Sequence, residues 1–103
     1  MENKKEVQSE NIVLREGLEI SPKITVLSWD RVSLIYAKFQ REEIGELQLT
    51  LEIIKILLID KTKVSEIDDM LNGELTEEFI EELTTWGEKI MGLVMWFIDA
   101  KKK

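Results

Sequence analysis

The chain has 103 residues, a formal net charge of −7, no His and no Cys. Apolar residues make up 44% and charged residues 34%, a balance that suits one globular domain and argues against disorder. The missing imidazoles and thiols remove disulfides, thiolate metal sites and the common nucleophile–base pairs.

Residues 1–10 are polar and charged, with no apolar h-region, and read as a disordered tail rather than a signal peptide. The rest, 11–103, is expected to form a single domain. Ile12 to Arg15 and Leu18 to Ile20 flank Glu16-Gly17, the pattern of a short hairpin. Pro22 follows, and Lys23-Ile24-Thr25-Val26 alternates polar and apolar residues like a further strand. Two or three short strands are expected over 11–27.

Ser28 reads as an N-cap for a helix beginning at Trp29. Its apolar stripe is Val32, Ile35, Tyr36 and Phe39, and a break is expected near 42–45, where Gly45 follows a charged run. A second stripe runs through Ile44, Leu47, Leu51, Ile54 and Leu58, widened by Ile53, Ile56, Leu57 and Ile59. A helix apolar over most of its circumference is buried on several sides. Val64, Ile67 and Leu71 predict a short third helix that Asn72-Gly73 ends in the left-handed conformation. Thr76 caps the last helix, Leu75 and Ile80 hold its staple positions, and its stripe is Phe79, Leu83, Trp86, Ile90, Leu93 and Phe97. The fold class is therefore α+β, mostly α: a short N-terminal β-hairpin or strand layer followed by three to four helices.

Charge is distributed unevenly. Nine carboxylates and no Lys or Arg fall between Glu66 and Glu88, a local −9 against +2 for the rest. Glu77/Glu81 and Glu78/Glu82 are like-charged i,i+4 pairs that repel on a helix, so local stability does not explain them. The block serves either solubility or a basic partner. Glu77, Glu78, Glu81 and Glu82 are the partner-binding residues this reading names. Asp68 to Phe79 partly follows an EF-hand loop, with Asn72 and Gly73 in register, but Met70 and Phe79 stand where oxygen ligands belong. No metal and no cofactor are expected. No carboxylate pair is marked for acid–base work and no glycine-rich phosphate loop occurs, so the protein is expected to be non-enzymatic.

Met91 to Ile98 covers nearly every side of the last two turns with apolar residues. Leu93, Val94 and Phe97 are assigned to the core. Met95 and Trp96 point elsewhere and mark a self-association seam, giving an expected homodimer. The stretch is too short to cross a membrane, and −7 opposes nucleic-acid binding. The reading is soluble, cytoplasmic and protein-binding.

The order of elements resembles small phage tail assembly chaperones. The likeness lies in Pro22 to Leu27 leading into Ser28-Trp29, in Ile56-Leu57-Leu58-Ile59-Asp60, and in the stretch Leu75 to Trp86. It covers most of 22–90 and is one of pattern. It implies a protein that holds a tail protein soluble before assembly, with no catalytic residues; the expected partner is a basic or partly unfolded protein. The alternative expectation is an acidic inhibitor, a nucleic-acid mimic that blocks the basic groove of a nucleic-acid-handling protein.

Overall fold

The computed structural model describes residues 11–102, with side chains through Trp96. The tail 1–10 and the core assignment of Phe97 lie outside the described residues and side chains. A hairpin of β1 (Ile12–Arg15) and β2 (Leu18–Ile20) precedes four α-helices: α1 (Val26–Gln40), α2 (Glu46–Leu57), α3 (Val64–Asn72) and α4 (Glu77–Lys102). A single 3₁₀ turn over Lys61–Lys63 leads into α3. The architecture is α+β, mostly α.

The hairpin turns where expected. Gly17 has φ +81°, which a side chain would resist. Ile12 pairs with Ile20, Val13 with Glu19 and Arg15 with Leu18, so Leu14 is the extra residue of a bulge. Leu14, Leu18 and Ile20 are buried. Two strands alone are marginal in water, and their outer edges invite further pairing. Here both edges are covered. On the β2 side, Ser21 N donates to Leu57 O at 3.0 Å and Ile59 N to Glu19 O at 3.2 Å. On the β1 side, Trp86 Nε1 donates to Leu14 O at 3.2 Å and Lys89 Nζ to Val13 O at 3.1 Å.

The third strand expected over Lys23–Val26 does not form. The β2 edge is already paired by the segment around Leu58, and Val26 is the first residue of α1. The cap is Thr25 rather than Ser28: Thr25 Oγ1 accepts from Ser28 N at 3.1 Å, so α1 begins three residues before the expected start. The break after α1 does occur, but its left-handed residue is Glu42, at φ 64°, while Gly45 is extended and caps α2.

α2 is the central element, packing against α1, α3 and α4. Leu49, Leu51, Ile53, Ile54 and Leu57 are buried, and the buried Thr50 hydroxyl donates to Glu46 O. α3 ends at Gly73 without the expected left-handed residue. Gly73 is extended, at φ −90° and ψ 176°. A Cβ there would sit 2.9 Å from Asp69 O, so close approach, not backbone sign, selects the glycine. Thr76 caps α4 as its sequence predicts, accepting from Phe79 N at 3.1 Å. Leu83, Trp86, Ile90, Leu93 and Val94 bury the inner face of α4. Among the described residues, no helix is long and apolar enough to cross a membrane.

Candidate functional site: the outward face of the last helix

The inner stripe of α4 fixes which side chains face solvent. With Leu83, Trp86, Ile90 and Leu93 turned to the core, the opposite face carries Glu77, Glu81, Thr84 and Glu88, all exposed. Glu78 is exposed beside them, and Ile80 adds an exposed apolar residue on the flank.

The nine carboxylates of 66–88 separate into two groups. Three have cations from elsewhere in the chain or its near neighbourhood. Glu66 meets Lys63 at 3.2 Å, and Asp68 meets Lys55 at 2.8 Å. Glu82 takes Arg15 through two contacts, Nε to Oε2 at 3.1 Å and the terminal nitrogen to Oε1 at 2.6 Å. The Arg15 guanidinium also lies 5.1 Å over the Trp86 ring. Glu82 thus belongs to the clamp that holds β1 on α4. Among the described residues no ion pair reaches Asp69, Glu74, Glu77, Glu78, Glu81 or Glu88. Of the four partner-binding residues named from sequence, Glu77, Glu78 and Glu81 form the unpaired patch and Glu82 does not join it.

Lys55 is held above its ordinary pKa, first by its hydrogen bond to Asp68, against some burial, and further by Glu52. It closes one end of an open groove of about 580 Å³ between α2, α3 and the start of α4, whose floor includes Leu51, Leu71, Phe79 and Leu83. The segment compared with an EF-hand loop is not a loop at its start. Asp68 and Asn72 are both in α3, and the Asn72 side-chain amide donates to Asp68 O at 2.9 Å. No metal-holding group of three or more acidic side chains occurs among the described residues.

Met95 and Trp96 are 47% and 39% exposed. They lie on α4 about 20 Å beyond Glu81, given 1.5 Å per residue. Met95 continues the line of Glu81 and Glu88, whereas Trp96 continues that of Glu78.

A second surface escaped the sequence reading. Leu27 and Leu34 on α1 are 69% and 66% exposed. They alternate with exposed Arg31 and Lys38 along one stripe. The signal was available in the seven-residue spacing of Leu27 and Leu34, but Leu27 had been assigned to a strand. Compared with known proteins, the chain matches no family model, no curated protein and no solved structure.

Proposed function

We propose that this protein is a non-catalytic interaction module that docks a cationic, partly apolar protein surface on the outward face of α4, as an assembly chaperone of viral type would. The observation that carries this reading is the run of exposed Glu77, Glu78 and Glu81 without intramolecular cations among the described residues, flanked by Ile80. Like charges held four residues apart cost helix stability, and a partner's Lys and Arg would offset that cost. Met95 and Trp96 extend the same helix as apolar contact area. A reducing, cytoplasmic setting suits a chain with no cysteine.

The test replaces Glu77, Glu78 and Glu81 together with Gln and keeps Glu82, whose loss would loosen the hairpin. Immobilised native protein is expected to capture a protein partner that salt displaces, and the triple variant, equally folded by circular dichroism, is expected to lose it. Equal capture by both proteins refutes the role of the patch. Capture of a nuclease or another nucleic-acid-handling protein through its basic groove would replace chaperoning with inhibition.

A further inference from the structure

We infer that the acidic face of α4 takes the α1 stripe of a second copy of this chain, so that the protein assembles head to tail. The inference rests on the reading of α4 as a docking face and names one occupant for it. Two observations carry it. The first is charge. In a chain of −7, the α1 stripe places Arg31 and Lys38 at the surface, and neither closes an ion pair among the described residues. The adjoining groove of about 400 Å³ is lined with apolar surface by Leu34, Ile35, Ile56 and Val64, and its Lys55 is already paired with Asp68 and Glu52. The second is spacing. Leu27, Arg31, Leu34 and Lys38 step 4, 3, 4, and Glu77, Glu81, Thr84 and Glu88 step 4, 3, 4 on the outward face of α4. That step is the one that keeps two helices facing each other along a seam.

Laid antiparallel, the two stripes match at their charged residues. Arg31 to Lys38 and Glu81 to Glu88 both span seven residues, about 10.5 Å of rise. Lys38 then meets Glu81, Arg31 meets Glu88, and Leu34 covers the exposed Thr85 between them. Leu27 falls at Gly92, whose exposed backbone has no atom within 4 Å of a Cβ position, with exposed Met95 beside it. Two different surfaces are joined, so every bound copy still offers one of each. Such contacts propagate into rings or open chains.

General repulsion between copies of −7 also weakens with salt, so a salt series does not decide the matter. Charge reversal does. One variant carries Arg31→Glu and Lys38→Glu, and a second carries Glu81→Lys and Glu88→Lys. All four positions are exposed, and circular dichroism checks that both variants fold. Light scattering across a concentration series is expected to show native protein gaining mass, each variant alone staying monomeric, and the equimolar mixture regaining mass because acidic α1 meets basic α4 and the reverse. A native protein that stays monomeric overturns the inference. So does native self-association that both reversals leave intact, which would move the seam elsewhere, Trp96 first. Native monomer combined with partner capture that depends on Glu77, Glu78 and Glu81 leaves the proposed function standing and removes only this occupant. Loss of both removes both.

Discussion

Trp86→Phe tests the clamp that closes the fold. Trp86 is 1% exposed; its Nε1 donates to Leu14 O at 3.2 Å, its ring carries Arg15, and Phe79 meets it edge-on at 6.3 Å. Phenylalanine keeps the apolar body and removes the donor. A buried carbonyl left without its partner costs about 1–3 kcal/mol. The smaller ring leaves a space worth roughly another 1 kcal/mol, and a thinner platform for Arg15 adds up to ~0.5 kcal/mol. The sum is about 2–4 kcal/mol, a large part of the ~5–15 kcal/mol available to a domain of this size. At about 4–8 °C per kcal/mol the midpoint falls by roughly 8–32 °C. The assay is thermal and urea unfolding by circular dichroism, paired with amide exchange over β1. The variant is expected to lose exchange protection at the hairpin before the helices. A loss below ~1 kcal/mol, the low end of an orphaned carbonyl, with unchanged protection over β1, would falsify the account of Trp86 as the hairpin's anchor.

Three further outcomes are expected. Gly73→Ala brings a Cβ to 2.9 Å from Asp69 O and should destabilise by about 1–3 kcal/mol, the cost of an overpacked site; an unchanged urea midpoint would contradict the close approach. Gly92→Ala meets nothing within 4 Å and should stabilise the protein by up to ~1 kcal/mol through helix propensity, read as a higher melting temperature; a lower one would contradict the open space. Finally, the Asp60 carboxyl is held below its ordinary range, first by its side-chain hydrogen bond with Thr62 and then by the Thr62 backbone N–H. The Glu43 carboxyl is likewise lowered, first by its hydrogen bond to Arg41. Groups lowered in the folded state stabilise it above the ordinary carboxyl value and lose that contribution as pH falls through the folded value. Stability should therefore decline below about pH 4, and Asp60→Asn should flatten the decline in urea midpoints; an identical slope in the variant refutes the assignment.

How far the chain could be read depended on whether the deciding contact was local. Gly17 in its turn, Thr76 at its cap and the 3–4 spacing of Leu83, Trp86, Ile90 and Leu93 are set by neighbours in sequence, and each was legible there. Lys23 to Val26 was misread because alternation describes a strand only when an edge remains for it, and Leu57 to Ile59 had taken that edge. By residue type Ser28 is the stronger cap, yet Thr25 serves, its Oγ1 accepting from Ser28 N. At the candidate site, the acidic character of α4 was visible, but its partition was not. Arg15 reaches Glu82 across 67 positions, and no local pattern marks such a pair. The stripe of Leu27, Arg31, Leu34 and Lys38 exists because α1 starts early enough to include Leu27.

The clamp at β1 also sets an order of events. Val13, Leu14 and Arg15 are held by Lys89, Trp86 and Glu82, across separations of 76, 72 and 67 residues. α1, α2 and α3 meet through nearer neighbours and can collapse early, because short loops cost less entropy to close. The β2 edge can pair with the segment after α2 without α4, but the β1 edge lies open until α4 docks. Docking of the last helix acts on that edge as a latch, and anything that grips Glu82 or Trp86 before it closes competes with completion of the fold.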